Sequence, residues 1–274
     1  METITLRESR LTIDGQGIAE LTHMRPAQRN PLTQALRDDY LDVVDRLEGD
    51  RGVRALILTG SGGSFCAGGD VKTMHTRQAD PAATSPDAMR KRIQALHNWL
   101  PRLRNLDMPV IAAVDGPAWG GGFAMALSAD FILATPRASF CMVFLRIGVI
   151  PDMGSLYLLP RFVGLQRAKE LLMTARRVDA DEARELGLVL SLHAPDALRE
   201  AACTLARRFV DAPRLAVAHT KRLANRAYET DAATMAELEG LAQGHCGVDP
   251  YHAESVERFV RREPARFDWD RKDG

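Results

Sequence analysis

The chain has little of what would tie it to an extracellular scaffold, a metal or a membrane. Its four cysteines, Cys66, Cys141, Cys203 and Cys246, are far apart and form no CxxC. No zinc or other metal site and no disulfide framework is expected, and a reduced, cytoplasmic setting is the simplest reading. Neither sign of charge is in excess, with 36 Lys plus Arg against 36 Asp plus Glu. A nucleic-acid surface would need a basic surplus or stripe, so no nucleic-acid partner is expected. The N-terminus, Met1 to Arg7, has no apolar signal core. Asp115 and Asp130 interrupt the best apolar stretch before it reaches the ~20 residues of a membrane span. A dinucleotide fingerprint is missing after Leu58, because the position three beyond Gly62 is Phe65. Neither G-x-x-x-x-G-K-[ST] nor G-x-S-x-G occurs, which removes a P-loop and a serine-hydrolase elbow.

What is there begins with residues 109–130. Val110 to Val114 is an apolar run of strand length, Asp115-Gly116-Pro117 breaks it, and Gly120-Gly121-Gly122 precedes the apolar helix start Phe123 to Leu127. A strand, a glycine turn and a helix N-terminus expose unpaired N–H groups at the positive end of a helix dipole, a place that holds negative charge. A second segment has the same plan: Val53 to Leu58 as strand, then Thr59-Gly-Ser-Gly-Gly-Ser-Phe-Cys-Ala-Gly-Gly-Asp70. Two such loops, each after an apolar strand, point to a repeated β-turn-α unit with two backbone donor sites rather than two incidental turns.

The rest reads as connecting structure. Residues 3–8 and 17–23 alternate as a hairpin-like start, and a helix follows from the N-cap Thr33 with Leu36, Tyr40, Val43, Val44 and Leu47 on one face. Residues 73–90, polar and holding Pro81 and Pro86, are expected as a loop carrying His75. Residues 88–106 read as a helix broken at Pro101, with His97 and Trp99 as packing or surface residues. Asp152 follows the apolar run Phe140 to Ile150. Its bland role is a helix cap, and its sharper one is a carboxylate whose burial suits it to proton transfer. Helices are expected over 195–210, 213–228, 231–246 and 251–262, as a layer that covers the core or joins subunits.

Phe65-Cys-Ala-Gly-Gly-Asp70 with Lys72, Asp115-Gly-Pro-Ala-Trp-Gly-Gly-Gly122, Ala129-Asp130, Gly148-Val-Ile-Pro-Asp-Met-Gly154, Leu159-Pro-Arg-Phe-Val-Gly164 and Ala183-Arg-Glu-Leu-Gly-Leu-Val189 together resemble the enoyl-CoA hydratase/isomerase (crotonase) superfamily. The matches run in order from about residue 10 to about residue 265. The resemblance implies an α/β fold: a spiral of repeated ββα units with the acyl-CoA site over residues 1–200, and a helical C-terminal region over 201–274 for covering and trimerisation. It also implies a homotrimer or hexamer, acyl-CoA thioester chemistry, and no cofactor beyond the substrate's own coenzyme A. Carried over residue by residue, the oxyanion-hole donors fall on the N–H groups of Gly69 and Gly121. Cys66, Ala67, Gly68, Asp70, Lys72, Gly120 and Phe144 fall on substrate or CoA contacts. The two glutamates with which hydratases of this family activate water fall on Ala124 and Phe144, neither of which can hold or move a proton. A double-bond isomerase needs one carboxylate, and an aspartate at or beside Asp152 serves that role in some members. The expectation is therefore an isomerase-type enzyme with Asp152 as acid/base. The alternatives are a hydratase using another group such as His75, and a non-catalytic acyl-CoA-binding homologue.

Overall fold

The computed structural model describes residues 1–270. Its larger sheet starts as an antiparallel meander, β1 (Glu2–Thr5), β2 (Ser9–Ile13) and β3 (Ile18–His23). It continues in parallel through β4 (Ala55–Gly60), β5 (Val110–Val114), β7 (Phe131–Ala134) and β10 (Ser191–Leu192). Every residue of β5 is buried, as a parallel strand covered on both faces requires, and its run of Val, Ile and Ala needs no polar partner. A smaller sheet holds β6 (Pro117–Trp119), β8 (Ser139–Cys141) and β9 (Arg177–Asp179).

The repeat is visible in how consecutive strands divide between the two sheets. β5 enters the large sheet, β6 the small one, and α5 (Gly121–Leu127) follows. β7 and β8 divide the same way before α6 (Ser155–Val163). One round earlier, β4 is followed by Cys66, which bridges to Ala118 of β6, and then by α2 (Val71–Gln78). This is the expected spiral of ββα units.

Residues 73–90 differ from the expected loop. They hold most of α2 and the start of α3 (Pro86–Leu96). Asp70 caps the first by accepting from the Lys72 and Thr73 amides, and Ser85 caps the second by accepting from the Ala88 amide. Pro86 stands in the first turn of α3, where a missing N–H costs nothing, so it begins a helix instead of breaking one. The break near Pro101 is present: α4 (Leu100–Arg104) restarts after His97–Trp99, and Trp99 is buried against Tyr40 of α1 (Gln34–Gly49).

Past β10, α9 (Leu198–Arg207) spans residue 200 and lays Leu198, Ala202, Cys203 and Ala206 on Ile57, Ile111 and Leu133 of the sheet. Then come α10 (Arg214–Ala224), α11 (Ala232–Gly247) and α12 (Pro250–Val260), of which the last two bury no residue. No helix among the described residues is long and apolar enough to cross a membrane.

Two buried polar links fix these layers. Lys221 of α10 reaches Asp130, with Nζ to Oδ2 at 2.7 Å, and also donates to the Met108 carbonyl at 2.9 Å. Asp130 in turn accepts from the Val110 amide at 2.7 Å, so one ion pair ties the C-terminal helices to the start of β5. Second, His23 is fully buried between the Phe65 carbonyl (Nδ1, 2.8 Å) and the Tyr40 hydroxyl (Nε2, 2.8 Å). A carbonyl only accepts, so Nδ1 carries the proton and Nε2 accepts from Tyr40. This chain joins β3, α1 and the loop that follows β4.

Replacing Lys221 by Met leaves Asp130 buried without its counter-charge and should cost about 3 kcal/mol of stability in urea denaturation, part of which Asp130→Leu in the same chain restores. Burial lowers the His23 pKa to about 4, against about 6.5 unfolded. The unfolded chain therefore takes up this proton first as pH falls. The stability it concerns is complete above pH 7 and is lost between about 6.5 and 4. Unfolding free energy at pH 5 should fall about 2 kcal/mol below its value at pH 7.5 through this group, and His23→Gln should lack that component.

Candidate active site

The two glycine loops meet. Cys66 donates its N–H to the Pro117 carbonyl at 3.0 Å, and its own carbonyl accepts from the Trp119 amide at 3.0 Å. The approach is close enough to exclude side chains. A Cβ on Gly122 would lie 2.2 Å from the Cys66 carbonyl oxygen, and one on Gly68, at φ +91°, would lie 2.6 Å from that of Trp119. Cys66 is completely buried, and burial pushes its thiol up to about 12. It joins the loops through its backbone and does not line the cavity described next.

At each loop one carbonyl is held away from the cavity. The Gly68 carbonyl accepts from the Leu32 amide at 2.8 Å, and the Gly120 carbonyl accepts from the Ala124 amide at 3.1 Å as the first bond of α5. In a trans peptide the C=O and the following N–H point in opposite directions. Fixing those carbonyls therefore turns the N–H groups of Gly69 and Gly121 the other way. Neither amide donates a hydrogen bond among the described residues. Both glycines line one cavity of about 870 Å³. It runs between α1, α2, α3 and the segment leading into α6, with apolar walls from residues such as Leu32, Met74, Ile93, Leu96 and Ile150.

Asp152 lines the same cavity. It is not a side-chain helix cap: α6 starts at Ser155, and it is the Asp152 carbonyl that accepts from the Ser155 amide at 3.0 Å and hydroxyl at 2.7 Å. Met153, at φ +53°, and Gly154, at φ +75°, turn the chain sharply into α6. The carboxylate is left half-buried in the cavity. Burial raises its pKa above the ordinary aspartate value, against the opposing charges of Arg92, Arg37 and His97. It is the only acidic residue among those lining the cavity.

The other candidates fall in two groups. Phe144 lines the cavity from the 3-10 helix Val143–Ile147, whereas Ala124 is buried inside α5. Ala67 donates to the Arg29 carbonyl at 3.0 Å, and Gly120 donates to the Cys141 carbonyl at 2.8 Å. Both amides are occupied in holding the loops. The Asp70 carboxylate accepts from the Thr73 hydroxyl at 2.7 Å, a bond that holds its pKa below the usual range, and Lys72 is exposed as the second residue of α2. Ala67, Gly68, Asp70, Lys72 and Gly120 do not line the cavity. His75 is on α2 and lines it, as does His97, which the sequence pattern placed in packing or surface. Arg37, Arg77 and Arg92 also line it and carry no motif. Arg37 and Arg92 flank the apolar faces of α1 and α3, and helical periodicity marks only the faces.

The family model for enoyl-CoA hydratase/isomerase matches residues 14–271. The chain is 32% identical over 253 residues to a 1,2-epoxyphenylacetyl-CoA isomerase of Escherichia coli (strain K12), covering 92% of this chain and 95% of the relative. It is 34% identical over 252 residues to a crotonyl-CoA hydratase of Syntrophomonas wolfei, covering 91% and 94%. Among solved structures, an enoyl-CoA hydratase/isomerase from Cupriavidus metallidurans CH34 superposes with a TM-score of 0.92 at 37% identity, covering 99% of this chain and 100% of that one. The relatives bear isomerase and hydratase names alike, while the fold and the matched span agree. The chain belongs to the enoyl-CoA hydratase/isomerase family, the crotonase superfamily, and is one of its acyl-CoA-processing enzymes.

Proposed function

We propose that the enzyme shifts the double bond of an enoyl-CoA between the 3- and 2-positions. One observation carries this reading: Gly69, Gly121 and Asp152 line a single, largely apolar cavity with no second carboxylate among the described residues that line it. The thioester oxygen sits between the Gly69 and Gly121 amides, each worth about 3 kcal/mol to the developing enolate. Asp152 takes a proton from C2, the C2–H pair forms a C1–C2 double bond as the carbonyl pair moves onto the thioester oxygen, and the resulting dienolate, conjugated with the C3–C4 double bond, is held by the two amides. The same carboxyl then returns the proton at C4, leaving the double bond between C2 and C3. Hydration would instead need a second group to hold and deprotonate water, and the family's positions for it are the apolar Ala124 and Phe144.

Cys66, Gly68, Asp70 and Gly120 serve this site by shaping the donor loops, and the CoA moiety passes along Ala67 toward Lys72, as in the family. No cofactor is required beyond the coenzyme A of the thioester. α11 and α12, with Leu241, Phe259 and Val260 exposed on them and Val248 exposed between them, are read as the surface joining copies into a trimer or hexamer. A second reading has one favouring observation: His75 lines the cavity, so a hydratase using His75 would give 3-hydroxyacyl-CoA and lose it in His75→Ala.

Asp152→Asn should lower kcat for isomerisation of 3-enoyl-CoA by about 10²–10⁴-fold while leaving acyl-CoA binding intact; products are identified by mass spectrometry and NMR. Full retained turnover sinks the assignment. The base must be ionised, and its pKa is raised. The acid limb of kcat/KM should therefore lie above the pH of about 3.9 at which an ordinary aspartate titrates, with activity lost as pH falls through it.

A further inference from the structure

Several arginines of this chain have carboxylate partners. Arg102 pairs with Asp45 and Glu48, Arg176 with Glu170 and Glu182, and Arg137 with Asp115 through two bonds. The large cavity holds no such pair among the described residues. Arg37, Arg77 and Arg92 line it, and none forms an ion pair among the described residues. The Nε atoms of Arg37 and Arg92 are buried without any hydrogen-bond partner. The contacts these two guanidinium groups do make are weak: Arg37 Nη2 to the Leu32 carbonyl at 3.4 Å, and Arg92 Nη2 to the Met89 sulfur at 3.5 Å. Half-buried guanidinium forks without acceptors are costly, and their planar donors match a carboxylate in two-point fashion.

We infer that the acyl chain this enzyme takes ends in a second carboxylate, held between Arg37 of α1 and Arg92 of α3. The inference rests on the reading above that the acyl chain occupies this cavity. Position argues for the acyl end rather than the phosphates of coenzyme A. Arg37 and Arg92 are the two cations whose charge acts most on Asp152, and Asp152 must reach the carbons next to the thioester. All of these groups line the one cavity, so an acyl chain held at the Gly69 and Gly121 amides beside Asp152 shares its space with these guanidinium groups. Three arginines against one aspartate make the lining net positive, so a distal carboxylate meets attraction there. A purely alkyl chain would bury the same guanidinium groups with only the weak contacts to the Leu32 carbonyl and the Met89 sulfur.

The test is calorimetric binding of adipyl-CoA, hexanoyl-CoA and free coenzyme A, which need no turnover. Wild-type protein should bind adipyl-CoA at least about tenfold more tightly than hexanoyl-CoA. Arg37→Met and Arg92→Met should each erase most of that preference, with hexanoyl-CoA and coenzyme A unchanged within about twofold; Arg92→Lys should retain part of it. Equal wild-type affinity for the two esters overturns the inference without any variant, and leaves the isomerase reading standing. If the variants weaken free coenzyme A as much as adipyl-CoA, the guanidinium groups serve the phosphates and the inference fails. Absence of binding by hexanoyl-CoA and adipyl-CoA alike removes the acyl-CoA placement itself along with it.

Discussion

A peptide group can turn only one end of its dipole toward a cavity, and at two places in this chain that choice is made by bonding the carbonyl elsewhere. The Gly68 carbonyl is taken by Leu32 and the Gly120 carbonyl by Ala124. The first bond comes from the segment before α1, the second from the opening turn of α5. Their donors lie far apart in sequence, so the pair exists only if the ββα rounds stack in register. The Cys66 to Ala118 bridge sets that register, because it joins the loop after β4 to the strand after β5. The buried His23 to Phe65 bond supports it from beneath. A fully buried imidazole that stays neutral is well suited to this task, since it satisfies the carbonyl and the Tyr40 hydroxyl without placing a charge in the core.

With the amides fixed by backbone, the side chains are left to decide which reaction follows. A spiral of this kind can offer an anion site whatever stands at positions 124 and 144, and relatives of the chain carry both isomerase and hydratase names. Here those positions are an alanine enclosed in α5 and a phenylalanine on the cavity wall. On the proposed function the acid–base chemistry passes to Asp152, whose side chain does not cap α6, the turn at Met153 and Gly154 leaving only its carbonyl in contact with Ser155. A capping carboxylate would accept from backbone amides and lose basicity. An uncapped one keeps its lone pairs available.

Much of this was legible in the sequence because it is encoded locally. Val110 to Val114 is apolar throughout since both faces of a parallel strand are covered, and Thr33 is a cap followed by a periodic apolar face. The glycine runs carry their own steric signal, because only the absence of a Cβ lets Gly122 lie against Cys66. What was not legible depends on tertiary context. Pro86 reads as a breaker unless the capping role of Ser85 is weighed with it. Asp152 reads locally as a cap or as a proton carrier, and the left-handed turn after it is what shows that its side chain does not cap α6. Arg37 and Arg92 sit on flanks that periodicity treats as solvent-facing, and they become cavity residues because α1 and α3 face each other across a space that no local pattern describes.

The electrostatics of that space follow from its shape. An apolar wall favours the protonated form of Asp152, and unpaired guanidinium groups favour the ionised form. A carboxyl left to the wall alone would rise until it no longer took a proton from carbon at neutral pH. One bound directly to an arginine would fall until it no longer gave the proton back. Placing the cations near the carboxylate but not against it balances the two tendencies, and a group that must act as base and then as acid within one turnover needs that balance. The same arrangement leaves both guanidinium groups without an ion pair among the described residues, the feature from which a distal carboxylate on the acyl chain is proposed.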